Sequence, residues 1–119
     1  MTALETAKAA VKALDSKKGV DIALMDISGV TTLGDYFVVA SGTSTTQVKA
    51  LADEVDEQLS KLGLEPRRVE GYQSANWILL DYYEVIVHIF LEETREFYSL
   101  ERLWSDAPRV DLTGLVTQN

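Results

Sequence analysis

Two strand-like runs, Trp77 to Leu80 and Val85 to Leu91, stand with only Asp81, Tyr82, Tyr83 and Glu84 between them. Read as a hairpin from Asn76 to Asp81 and Glu84 to Leu91 over the turn Tyr82-Tyr83, they place Asp81 opposite Glu84, Leu79 opposite Ile86 and Trp77 opposite His88. Side chains alternate across a strand, so each face can be read directly. One face collects Ile78, Leu80, Val85, Val87 and Ile89 and is wholly aliphatic. Such a face has to be buried under a second layer, which commits the chain to a layered domain built on a sheet.

The covering layer is legible at helical spacing. Thr2 and Glu5 have capping-box spacing, and Leu4, Ala7, Val11 and Leu14 follow on one helical face until Gly19 offers a stop. Ser44 and Gln47 repeat the spacing ahead of Val48, Leu51, Ala52, Val55, Leu59 and Leu62, a stripe that Gly63 closes. Val20 to Ile27 and Tyr36 to Ser41 read as neighbouring antiparallel strands, and Leu64 to Gly71 as a short strand weakened by Pro66. The helix before that short strand makes it the expected crossover partner of the Tyr36 strand. Phe97, Leu100 and Trp104 predict a third helix ending before Pro108. The fold class that results is α/β: one two-layer domain over residues 1–110, with a mixed five-stranded sheet and packed helices, followed by a mobile tail from Asp111 to Asn119.

Composition narrows the function. The 119 residues suit one modest core, and the absence of cysteine removes disulfides, thiolate nucleophiles and thiolate-ligated metals. No apolar run approaches the roughly 20 residues that span a bilayer. The first 18 residues lack a secretory apolar core, which predicts a cytoplasmic protein. Net charge is −8, carried by the body, since residues 1–18 hold four lysines against two acids. Such a body repels phosphates, so nucleic acid is not the expected main source of affinity; a basic protein surface is the better-matched partner.

The second hairpin face reads Trp77, Leu79, Asp81, Glu84, Ile86, His88 and Phe90, from aromatic to acidic. An aromatic anchor beside a charged rim is where binding energy tends to concentrate, so Trp77, Leu79, Asp81, Tyr82, Glu84 and His88 are the expected partner-binding residues. Asp81 and Glu84, if opposite one another, repel until a cation arrives. The competing reading puts the third helix over this face and makes Trp77 ordinary core.

No catalytic or metal-ligating set and no cofactor is expected. Ser41-Gly42-Thr43-Ser44 lies between a strand and a helix start, where backbone N–H groups can hold an anion, but it lacks the lysine of a phosphate loop. Magnesium-dependent nucleotidyl transfer would need paired acids on a following strand, and that strand offers Arg67, Arg68, Val69 and Glu70. His88 stands alone in an apolar run and is most simply a packed imidazole. Asp53, Glu54, Asp56 and Glu57 are most simply the solvated side of the second helix, with an acidic docking stripe as the alternative.

Asp35-Tyr36-Phe37-Val38-Val39-Ala40-Ser41-Gly42-Thr43-Ser44, Glu70-Gly71, Trp77 to Tyr82, Val87-His88-Ile89-Phe90 and Phe97 to Trp104 occur in an order and spacing that resembles the bacterial ribosomal silencing factor (Iojap-like) family over nearly the whole chain. The resemblance implies a nucleotidyltransferase-like topology without that activity. It implies binding to the large ribosomal subunit through the fourteenth protein of its L series, blocking small-subunit joining and slowing translation when nutrients are short. The chain departs from the family at Tyr83, where glycine is usual, and the hairpin tip turns on that position. The alternatives are a nucleotidyltransferase-like enzyme or nucleotide-binding protein, and a homodimer formed through the Trp77 face.

Overall fold

The computed structural model describes residues 1–32, 34–98 and 107–116. In chain order it has α1 (Ala3–Ser16), β1 (Val20–Asp26), β2 (Tyr36–Gly42), α2 (Thr45–Lys61), β3 (Arg68–Glu70), β4 (Trp77–Asp81), β5 (Val85–Leu91) and α3 (Glu92–Tyr98). The strands form one mixed sheet in the order β1-β2-β5-β4-β3. Only β2 and β5 run parallel; the other three neighbouring pairs are antiparallel.

Both long helices begin as their sequences require. Thr2 Oγ1 accepts from the Glu5 N–H while Glu5 accepts from the Thr2 N–H, completing a capping box. Ser44 Oγ caps α2 by accepting from the Gln47 N–H, but the Gln47 side chain turns to Thr43 instead of closing the box. Gly63, at φ +84°, ends α2 with its N–H on Ser60 O and that of Leu64 on Leu59 O. At the end of α1 the left-handed residue is Lys18 at φ 62°, one position before the expected Gly19.

The apolar stripes of α1 and α2 bury Ala7, Val11, Leu14, Leu51, Val55 and Leu59 against Ile78, Leu80, Val85, Val87 and Ile89 of the hairpin. This larger core is the layer that the aliphatic hairpin face demands. Met25, Ile27, Phe37, Val39, Ile86 and Phe90 form a smaller cluster on the opposite sheet face, with Ala107 packed on it.

Three expectations are corrected. The parallel partner of β2 is β5, and β3 sits at the sheet edge beside β4. A central strand needs apolar side chains on both faces, which the run from Val85 to Phe90 supplies. Arg68-Val69-Glu70 is exposed throughout and shorter than the expected Leu64 to Gly71 strand. The stretch expected to be a mobile tail is folded as far as it is described. Pro108 O accepts the Asp26 N–H, the Val110 N–H donates to Leu24 O, and Leu112, Leu115 and Val116 pack on the larger core. The outer edge of β1 would otherwise present unpaired backbone groups, and the C-terminal segment covers it. Of the third helix, the expected positions Leu100 and Trp104 lie outside the described residues. Among the described residues no helix is long and apolar enough to cross a membrane.

Candidate protein-interaction surface

The hairpin is paired two positions out from its expected register. Trp77 faces Phe90, Leu79 faces His88 and Asp81 faces Ile86, so Asp81 and Glu84 are not opposed. The Tyr82 N–H donates to Val85 O, which leaves Tyr83 and Glu84 as the turn. Tyr83 takes φ +73°, the left-handed region that tyrosine enters at a cost. Two local contacts offset that cost: the Tyr83 N–H donates to Asp81 Oδ1 at 2.9 Å, and the Arg67 guanidinium lies 4.9 Å from the Tyr83 ring centre. A slip of two preserves the alternation of side chains, so the face assignment survives the register error.

This geometry has a measurable consequence at Tyr83. Glycine there relieves about 1 kcal/mol of left-handed strain and loses about 0.5 kcal/mol of exposed cation–π contact. Tyr83→Gly is expected to be neutral to slightly stabilising in urea unfolding, whereas a clear loss of stability would show that the Arg67 contact outweighs the strain.

On the second face the aromatic groups are coupled. Trp77 Nε1–H donates to His88 Nδ1 at 3.1 Å, and the Trp77 ring stacks on Phe90 with centres 4.9 Å apart. Phe37 meets His88 edge-on at 4.7 Å. His88 is only 5% exposed, and its Nε2 has no hydrogen-bond partner among the described residues. Burial pushes its pKa down to about 4, so the imidazole is neutral near pH 7 and carries its proton on Nε2, the nitrogen that does not accept. Trp77 and Leu79 are half-buried and retain an outward surface.

Asp81 departs most from its expected role. Its side chain is 1% exposed, and Oδ2 lies 2.8 Å from Arg67 Nη2 and 3.6 Å from Arg68 Nη2. Burial pushes the Asp81 pKa up, but the Arg67 and Tyr83 hydrogen bonds with both guanidinium charges outweigh it and leave the value lowered. The carboxylate is therefore already paired inside the chain, and its part is to hold the tip together. Arg68 also reaches Glu70 at 3.0 Å, so Trp77 and Leu79 are flanked by a mixed Arg68–Glu70 rim. Glu84 is exposed at the tip, and its carbonyl accepts from the N–H groups of Asp35 and Tyr36. Tyr82 lies on the other sheet face, buried in the larger core.

Sequence reasoning missed Arg67, Arg68 and Arg95. The adjacent arginines before a hairpin with an acidic tip were the available signal for the first two. Arg95 gave none: it is buried, and its Nη1 donates to Asp21 O at 2.7 Å and Ser41 Oγ at 2.9 Å. It thereby holds the bulge in β1, where Asp21 adopts φ 49°. Ser41 is thus engaged by Arg95, while the Thr43 N–H and hydroxyl both donate to Gln47 Oε1. At this turn, therefore, both Thr43 donors are spent within the chain instead of facing an anion. Among the described residues no group of three or more histidine or acidic side chains is placed to hold a metal ion.

The fold and this face define a single α/β domain whose sheet is sealed by two helices on one side and bears half-exposed aromatic and apolar groups on the other. The chain belongs to the family described as ribosomal silencing factor during starvation, which matches residues 1–119. It is 40% identical over 105 residues to the ribosomal silencing factor RsfS of Bacillus subtilis, covering 88% of this chain and 89% of that one. It is 31% identical over 98 residues to the mouse mitochondrial assembly of ribosomal large subunit protein 1, covering 80% of this chain and 43% of that one. A crystal structure of a Chromobacterium violaceum protein superimposes with a TM-score of 0.86 at 40% identity, covering 88% of each chain.

Proposed function

We propose that this protein is a cytoplasmic, non-enzymatic silencing factor that binds the large ribosomal subunit and sterically prevents the small subunit from joining. The observation that carries the reading is the half-buried Trp77–Leu79 strip, rimmed by Arg68 and Glu70 and lying beside the exposed edge strand β3. Whole-chain family membership supports the ribosomal target. The acidic balance of the chain favours a basic ribosomal protein as the contact, and the fourteenth protein of the L series is the proposed one. In this reading Trp77, Leu79 and Glu84 meet the partner. Asp81, Tyr82 and His88 act from behind: Asp81 orders the arginines, Tyr82 anchors the tip in the core, and His88 orients the Trp77 indole.

No bond is made or broken; occupation of the joining surface is enough, and inhibition follows mass action. Sedimentation of separated subunits with increasing protein tests this, and full joining at saturation would sink it. Leu79→Lys is expected to retain the fold, because the side chain is half outward, and to weaken large-subunit binding by roughly tenfold or more. Undiminished binding would move the contact elsewhere. The same strip also admits a homodimer of the free protein, which light scattering across a concentration series would reveal.

A further inference from the structure

Among the described residues, Lys18, Asp21, Ala75 and Tyr83 hold positive φ without being glycine. The first three serve the path of the chain. Lys18 ends α1, Asp21 sits in the β1 bulge with its carbonyl on Arg95, and Ala75 is buried where its N–H closes the β3–β4 loop on Gly71 O. Tyr83 differs, because it carries a large ring and leaves it outside: the residue is 56% exposed and belongs to neither apolar cluster. Glycine would make the same turn without strain. The Asp81 bond to the N–H would form with any residue but proline, so the ring itself returns to the fold only an exposed contact with Arg67. Backbone strain that gives the fold so little gathers where ligands are gripped.

The ring is also held ready. Tyr82 is anchored in the larger core and its N–H donates to Val85 O at 2.8 Å, while Glu84 O accepts from the Asp35 and Tyr36 N–H groups at 2.7 and 3.0 Å. Arg67, fixed on Asp81 Oδ2 at 2.8 Å, backs the ring at 4.9 Å from its centre. Little side-chain freedom remains to be lost on binding, which is how a preorganised contact gains affinity. Asp81, which holds both Arg67 and the Tyr83 N–H, shares its strand face with Trp77 and Leu79. The Tyr83–Arg67 stack therefore stands at the tip end of the Trp77–Leu79 strip, next in the chain to exposed Glu84.

We propose, resting on the subunit-joining reading, that Tyr83 is a second aromatic anchor of this face and fixes which partner surfaces it accepts. The occupant is a lysine or arginine of the basic partner, its aliphatic stem lying on the ring and its charge reaching Glu84.

The test is binding of the full chain to purified large subunits, with the dissociation rate and the urea midpoint read for each variant. Tyr83→Asn, which tolerates left-handed φ but has no ring, and Tyr83→Gly should both bind roughly fivefold more weakly through faster dissociation. Tyr83→Phe keeps the ring and should stay within about twofold of wild type. So should Tyr72→Ala, which removes an exposed aromatic on the helix side, where the Tyr72 hydroxyl meets Asp53 of α2. Leu79→Lys calibrates the face. Wild-type affinity in Tyr83→Asn and Tyr83→Gly, with binding lost in Leu79→Lys, would overturn the anchor and leave the joining reading standing. Wild-type affinity in all three would overturn the anchor and move the whole contact elsewhere. Affinity that fell only in step with the urea midpoint across the Tyr83 variants would overturn it as well, since the ring would then act on the fold alone.

Discussion

Asp81→Lys is expected to destabilise the protein by roughly 3 kcal/mol, because it puts a cation in the buried place of a carboxylate that pairs with two half-exposed guanidinium groups. The substitution would set a third cation against Arg67 and Arg68, both of which now lean on the carboxylate. It would also remove the acceptor of the Tyr83 N–H, the contact that holds this residue at positive φ. Asp81→Asn, which keeps an acceptor but not the charge, should cost about half as much. Urea unfolding of the two variants beside wild type checks this. Unchanged midpoints would mean that the arginines contribute nothing to the tip. The result also governs how ribosome-binding data are read: a lost interaction in Asp81→Lys would report a disordered hairpin tip before it reported a lost contact.

The second large effect is on pH dependence, and it comes from His88. Its folded pKa is lowered to about 4 from the ordinary 6.5. Between those values the unfolded chain binds a proton that the folded chain does not. Acid therefore favours unfolding: the contribution is fully present above pH 6.5 and is lost as pH falls through about 4. The difference corresponds to about 3 kcal/mol, with no discount for solvent because the imidazole is buried. Asp81, also lowered, adds the same sign only below its ordinary 3.8, while Glu5, lowered from 4.5, and Asp56, raised from 3.8, act near pH 4, so the window from roughly pH 5 to 6.5 belongs to His88. His88→Gln can still accept from Trp77 Nε1–H through its amide oxygen but cannot titrate. Its stability should be nearly flat from pH 6.5 down to roughly 5, over which wild type falls steeply. Parallel curves for the two proteins would refute the assignment.

The period of each segment was legible without coordinates, because periodicity is a property of the local backbone. The α1 and α2 stripes, the aliphatic hairpin face and its aromatic counterpart all lie where alternation and helical spacing put them. Of the candidate site, alternation gave only which residues share a face. Trp77 and Leu79 share a half-exposed strip, and Tyr82 alone of the expected contacts falls on the opposite sheet face.

What only tertiary structure decided were the long-range pairings, where local signals tie. Strand β5 took the centre of the sheet because its residues are apolar on both faces, while short, charged β3 was left at the edge. Asp81 found Arg67 and Arg68 across the β3–β4 pair, a meeting that no spacing in the sequence announces. The hairpin register depended on a tyrosine accepting positive φ, and that is tolerable only when the surrounding contacts offset the strain. Alternation within a strand is therefore written into the sequence, but the partner a charged side chain meets is set by where the strands come to lie.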